Sequence, residues 1–265
     1  MDLGNLPKGL AMSGALEIRE RLKLVSGGRI LDVATGNGEF IDTLMKTLKD
    51  YDSFVGIDNS VEEIAAARKR FEGERVEILE MNAEVLDFEM NYFDTVTLSF
   101  SLRHLYRMNQ VLVEMKRVLK SGGHFIIQEP FRDGEQDQAQ RVKVIQQSWQ
   151  QEVDSLLNIT YNKIFTKQRI MNVVEGLGLK QVEVFESSHM VHCLFCEEKF
   201  SCADPKNKKT VAQEIRGIDK TIDRLRKHPQ LSIRDRLQRE GERLKESVKE
   251  FGYAETSHVF ILGTK

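Results

Sequence analysis

Cysteine is scarce in this chain. There are 3 in 265 residues, Cys193, Cys196 and Cys202, an odd number gathered in one short stretch. That excludes a disulfide-stapled fold. Long apolar runs are also lacking: none approaches the roughly 20 residues that a membrane-crossing helix needs. Met1–Leu10, interrupted by Asp2, Pro7 and Lys8, has no apolar core of an export signal, so a cytoplasmic setting is expected. Charge of one sign is lacking too. Lys+Arg 39 against Asp+Glu 41 gives a formal net charge of -2, with no global pull toward nucleic acid or a membrane. No internal repeat and no low-complexity tract is present.

What is present is a globular balance, 40% hydrophobic and 30% charged. The length suits one large α/β domain, or a domain with a substantial insertion. Strand and helix patterns alternate from about residue 14. Helical spacing covers Ala15–Val25, Phe40–Leu48, Val61–Phe71 and Asn109–Leu119. Short apolar or β-branched runs cover Arg29–Ala34, Ser53–Ile57, Val76–Glu80, Asp94–Phe100 and His124–Gln128. Gly27-Gly28 and Gly122-Gly123 read as stops for the first and last of these helices. Such alternation predicts right-handed βαβ units and a parallel sheet covered on both faces.

Beyond Pro130 the rhythm changes. Gln136–Leu157 reads as one long helix and Thr166–Leu177 as another, with Thr166 an N-cap and Gly178 the residue past the end. Gln181–Glu186 and His258–Leu262 read as the last two strands. Between them residues 188–253 hold a Cys/His turn and two helices broken at Pro229. The predicted fold is therefore α/β, a Rossmann-like, doubly wound seven-stranded sheet. It is mostly parallel, with an antiparallel last strand and a helical insertion before that strand. Residues 1–187 and 254–265 would form the main domain, and residues 188–253 would shape a substrate site.

The chemistry points to Leu31-Asp32-Val33-Ala34-Thr35-Gly36-Asn37-Gly38, where a strand gives way to a helix. Glycines there permit a tight turn and close approach of a ligand, and the helix start offers free N–H groups. The same spacing also suits a plain strand-to-helix turn. Asp58, at the end of the second strand, follows at the distance of a ribose-binding acid. Ser60 with Glu63 reads as a capping box for the next helix, which would leave Asp58 free for a ligand.

These segments resemble the class I S-adenosylmethionine-dependent methyltransferases of the small-molecule type. Met81-Asn82-Ala83-Glu84, Phe93–Val96 with Ser99–Leu105, and Arg117–Gly123 with Glu129-Pro130 continue the likeness. The resemblance implies S-adenosylmethionine as cofactor and methyl transfer to a small acceptor. It places Asp32, Ala34, Gly36 and Gly38 at the methionine part of the cofactor, Asp58 at the ribose, and Asn59, Asn82 and Ala83 at the adenine. Ser99 would offer its carbonyl to the amino group. Asn82 departs from the aspartate usual in the family, and Arg103 replaces the first of two histidines. His104, the second, and Glu129 are the candidate catalytic residues, each equally readable as a packing or loop-anchoring group.

Other readings compete. His189, His192, Cys193, Cys196 and Cys202 have zinc-like spacing, but only one Cys-x-x-Cys is present, so no metal is expected. From Lys199 to Glu250 there are 15 Lys/Arg and 9 Asp/Glu, which would suit an RNA or protein partner. Their i,i+4 interleaving suits a solvated helix face better. A nicotinamide enzyme would need a third glycine where Ile41 stands. A cofactor-binding protein without catalysis also fits the pattern. Met1–Ser13 reads as a lid over the site or as a loose terminus.

Overall fold

The computed structural model describes residues 14–159, 163–187, 204–226 and 228–265. The chain runs α1 (Ala15–Leu22), β1 (Arg29–Val33), α2 (Glu39–Thr47), β2 (Ser53–Asp58), α3 (Val61–Arg70), β3 (Val76–Glu80) and β4 (Phe93–Ser99). After a 3-10 turn (Leu102–His104) come α4 (Met108–Val118), β5 (Leu119–Pro130), α5 (Gln138–Leu156), α6 (Lys167–Gly176) and β6 (Lys180–Ser187). The chain closes with α7 (Lys208–Leu225), α8 (Leu231–Phe251) and β7 (His258–Thr264).

The strands form one sheet in the order β3-β2-β1-β4-β5-β7-β6. β1 to β5 pair in parallel, and β7 runs antiparallel between β5 and β6. Side chains alternate between the two faces. Ile30, Phe54, Ile78, Ile126, Phe260 and Leu262 pack under Ile18, Leu22, Ile41, Leu44 and Ile64 of α1, α2 and α3. Leu31, Val33, Val55, Ile57, Val96, Leu98, Ile127 and Ile261 pack on the opposite face against α4 and α6. Both faces are covered, so the inner strands read as near-continuous apolar runs.

The ends of these elements differ from the sequence expectation in instructive places. Gly122-Gly123 does not stop α4. That helix ends at Val118, and the glycines lie inside β5 at a register shift between the Phe93↔Leu119 and Thr95↔His124 pairs. A Cβ on Gly123 would stand 2.7 Å from the Asp94 carbonyl oxygen, so the close approach of β4 requires glycine there. Thr166 does cap α6, its hydroxyl accepting the Arg169 N–H at 3.2 Å, and Gly178 follows in the left-handed region at φ +58.

The insertion has a member outside residues 188–253. α5, which precedes β6, packs with α7 and α8 around Trp149, Val153, Ile218, Leu225, Leu237, Leu244 and Val248. The Trp149 indole N–H donates to the Leu237 carbonyl at 2.8 Å. This three-helix bundle hangs from the carboxyl edge of the sheet, where β5 ends opposite the start of β7. Gln140 Nε2 donates to Glu255 O (2.9 Å), Ser257 N–H donates to Gln136 Oε1 (3.0 Å), and Lys143 pairs with Glu255. The lid candidate Met1–Ser13 and the Cys/His cluster from His189 to Cys202 lie outside the described residues.

Gly241 on α8 is where helix and indole meet. A Cβ there would be 2.8 Å from Trp149 Cζ2 and 2.9 Å from Ile222 Cδ1. Replacing glycine inside a helix normally gains at most about 1 kcal/mol of propensity. Overpacking a tight contact costs about 1–3 kcal/mol, so the clash wins. Gly241→Val is expected to lower the denaturation midpoint of the bundle. Fluorescence of Trp149, the sole tryptophan, reads this directly. An unchanged midpoint would show that α5 and α8 do not pack this closely.

Candidate active site

The carboxyl ends of β1 to β5 surround a cavity of about 730 Å³, a size suited to a small organic ligand. The turn after β1 builds its floor. Ala34, Gly36 and Gly38 all take left-handed backbone, with φ of 55, 53 and 86. For Ala34 this costs roughly 1 kcal/mol, strain of the kind that collects at binding sites. A Cβ on Gly36 would meet nothing closer than Glu63 Oε2 at 3.8 Å, so space rather than packing lies above it. Gly38 differs. Its Cβ would strike the Phe71 ring at 2.3 Å, and it caps the start of α2 outside the cavity lining. Its glycine is required by packing and by φ.

Asp32 is 1% exposed, on the same face of β1 as Ile30. Its carboxylate accepts two hydroxyl hydrogen bonds, from Thr35 and Thr97, both at 2.6 Å. Burial raises its pKa to about 6 against the pull of those hydroxyls, with a smaller push from Asp58. Asp58 is not the free carboxylate expected. Its Oδ2 accepts the Gly36 N–H at 2.8 Å, and its Oδ1 accepts the N–H groups of Asn59 (2.8 Å) and Ser60 (2.9 Å). The Ser60 hydroxyl accepts the Glu63 N–H at 3.4 Å, but the Ser60 N–H goes to Asp58, so half of the expected capping box is replaced. A complete box among the described residues is Asp137 with Gln140. Asp58 thus ties the glycine turn to the start of α3 and lines the cavity.

The remaining walls come from the next tips. Asn59, Asn82, Ala83 and Glu84 line one side, and Asn82 Oδ1 already accepts the Glu84 N–H at 2.9 Å. Ser99, Phe100, Ser101 and His104 line the other. The Ser99 carbonyl accepts the Ser101 hydroxyl at 2.7 Å. Burial of the His104 ring, and then the Arg103 cation beside it, hold its pKa down to about 4. At neutral pH it is an uncharged imidazole.

The cavity therefore brings together Asp32, Ala34, Gly36, Asp58, Asn59, Asn82, Ala83, Ser99 and His104. Gly38 and Glu129 lie outside its lining. Glu129 is fully buried on the opposite face of β5, the face of Ile127, where its Oε2 accepts the Leu102 N–H at 3.3 Å. It anchors the 3-10 turn that carries His104. Burial raises its pKa to about 7, opposed by Arg103 and by the N–H groups of Leu102, Ser101 and Arg103. Sequence reading passed over Thr97 and Gln128, which alternate onto the cavity face of β4 and β5. Period two puts both on the face of Asp32, but which face that is needs the tertiary structure. No described residue of α5, α7 or α8 lines the cavity.

Residues 31–127 match the model of a family described as a methyltransferase domain. The stretch from β1 into β5 is thus similar to a methyltransferase domain. It is 36% identical over 107 residues to the ubiquinone/menaquinone biosynthesis C-methyltransferase UbiE of Geobacter sulfurreducens, covering 39% of this chain and 42% of that one. It is 36% identical over 103 residues to a demethylmenaquinone methyltransferase of Bacillus cereus, covering 38% and 44%. The matched part thus spans less than half the length of these relatives. Among solved structures, a putative methyltransferase from Bacillus halodurans superposes with a TM-score of 0.52 at 17% identity, over 94% of this chain and 96% of that one. Phosphoethanolamine N-methyltransferase 2 of Haemonchus contortus, in complex with S-adenosyl-L-methionine, superposes with a TM-score of 0.52 at 19% identity, over 95% and 52%. At these identities the structures establish the fold alone.

The buried Glu129 makes a pH test possible. Its folded pKa lies above the ordinary value of 4.5, so between about 4.5 and 7 the folded state keeps a proton that the unfolded state has released. Stability from this group is full below pH 4.5 and is lost as pH rises toward 7, on the order of 3 kcal/mol in all. Glu129→Gln is expected to flatten that decline in urea unfolding measured at pH 5 and pH 7.5. An equal decline in both proteins would remove Glu129 as its source.

Proposed function

We propose that this protein transfers a methyl group from S-adenosylmethionine to a small-molecule acceptor. The observation that carries the reading is the charge of the cavity. Its charged side chains are Asp32, Glu39, Asp58, Glu63 and Glu84, and no Lys or Arg is among the described residues lining it. A ligand bearing a sulfonium and an ammonium fits such a wall, and a dinucleotide carrying a pyrophosphate does not. The open space over Gly36 and the one carboxylate site that Asp58 has left fit a ribose-bearing ligand. When bound, the cofactor supplies an activated methyl group; the chain supplies position and a dry site. Asp32, held by Thr35 and Thr97, faces the positive end. Asp58 accepts from a ribose hydroxyl, Asn59, Asn82 and Ala83 flank the base, and the Ser99 carbonyl takes a hydrogen bond from the amino group.

His104 is the group able to take a proton from the acceptor. An imidazole with a pKa near 4 is a weak base, but it is fully unprotonated at neutral pH. A nucleic-acid or protein acceptor docked on the helical bundle has less support. Many of the bundle's cations are already paired, among them Arg224 with Asp154, Arg236 with Glu152 and Glu240, and Lys245 with Asp219 and Glu242.

Calorimetry is expected to show binding of S-adenosylhomocysteine and none of NADH. Asp58→Ala should weaken the former by roughly 1.5–3 kcal/mol, the cost of losing hydrogen bonds to a charged group. Unchanged affinity would remove Asp58 from the site. Once an acceptor is in hand, His104→Ala should lower turnover by about 10²–10⁴-fold. The acid limb of the wild-type rate profile should then lie near pH 4. A limb near 6.5 in the wild-type profile would show that His104 is not held in the low-pKa state.

A further inference from the structure

The capping box expected at the start of α3 is only half made, and that frees a carboxylate. In a full box the acid three residues past the cap reaches back to the N–H of the cap residue. Here that N–H, on Ser60, donates to Asp58 Oδ1 at 2.9 Å, while the Glu63 N–H still donates to the Ser60 hydroxyl at 3.4 Å. The Glu63 side chain lines the cavity instead, from an exposed position at its rim. Its Oε2 stands 3.8 Å from the point where a Cβ on Gly36 would lie. Asp58 Oδ2 meets the same residue from the strand side, accepting the Gly36 N–H at 2.8 Å. Two carboxylates thus converge on one glycine of the turn.

The acceptor count gives this convergence a meaning. An ionised carboxylate has about four acceptor sites. Asp58 gives three of them to the N–H groups of Gly36, Asn59 and Ser60, which leaves one. A ribose presents two neighbouring hydroxyls, each a donor. Asp58 cannot take both without giving up a bond that holds the turn or the helix start. We infer that Glu63 shares the ribose with Asp58: one hydroxyl donates to the site that Asp58 has left, and the other donates to the Glu63 carboxylate. This rests on the cofactor reading above and deepens it. Chain order agrees with the placement. Glu63 lies in the first turn of α3, directly after β2, on the side of Asp58 and Asn59. Asp32 and Ser99, which face the positive end of the ligand, belong to β1 and β4, further along the sheet. An exposed rim carboxylate also keeps its charge in water at little cost, unlike the buried Asp32, and a ribose hydroxyl replaces the water that it gives up.

The test is calorimetry on the full-length protein with S-adenosylhomocysteine and its two monodeoxyribose analogues, each lacking one ribose hydroxyl. Glu63→Ala is expected to weaken S-adenosylhomocysteine by about tenfold, the loss of a hydrogen bond to a charged group. Against one of the two analogues the variant and the wild type should agree within about twofold, because the hydroxyl that Glu63 accepts is already gone. A carboxylate acting only through its field on the ammonium would weaken all three ligands alike. Alanine suits an exposed helical position and leaves the backbone N–H that Ser60 accepts, so the fold should hold. Circular dichroism checks this, and Glu63→Ser is measured in its place if it does not. The inference is overturned if the variant binds S-adenosylhomocysteine as tightly as the wild type, or if its loss is the same for all three ligands. Failure of the wild type to bind S-adenosylhomocysteine at all would instead defeat the cofactor reading, a result distinct from either of these.

Discussion

A carboxylate buried to the depth of Asp32 is costly to keep ionised. The site depends on how that cost is met. Thr35 from the glycine turn and Thr97 from the neighbouring strand each give it a hydroxyl at 2.6 Å. Those two bonds join β1, its turn and β4 into one polar knot at the carboxyl edge. The turn must then pass over Asp32 with Ala34 and Gly36 in left-handed backbone. Asp58 closes the same turn from the other side by accepting the Gly36 N–H. The floor of the cavity is thus tied by two acids of neighbouring strands.

A second constraint is the alternation of side chains on a sheet covered on both faces. Asp32, Thr97 and Gln128 share a face with Ile30 and Ile126, while Glu129 shares the other with Ile127. A displacement of one residue therefore separates a cavity wall from a loop anchor. Glu129 nevertheless acts on the site through the backbone, since the turn it holds is the one that carries His104. Its burial and that of His104 work in opposite directions. One holds a proton to about pH 7 and the other sheds it above about pH 4.

The helical bundle is a separate packing unit suspended from β5 and β7. Its core around Trp149, Ile218, Leu237 and Val248 shares no residue with the two cores of the sheet. None of its described residues reaches the cavity. Its polar links to the sheet run through Gln136, Gln140 and Lys143 to the stretch just before β7.

By itself the sequence determined the elements and their class, because helix and strand periods are local. The alternating runs, the glycine turn after β1, the acid at the end of β2, the Thr166 cap and the break at Pro229 were all readable from neighbours a few residues apart. Several things needed the tertiary structure. Whether Asp58 stood free depended on where the Gly36 N–H pointed, across 22 residues of chain. Whether Gly38 served a ligand or a packing contact depended on Phe71. The partnership of α5 with α7 and α8 depended on contacts across β6, which no local pattern records. Gln128 and Glu129 are adjacent polar residues at one strand end. Only the covering of the two faces decided which of them would look into the cavity, since strand alternation sets opposite sides but not which side holds the ligand.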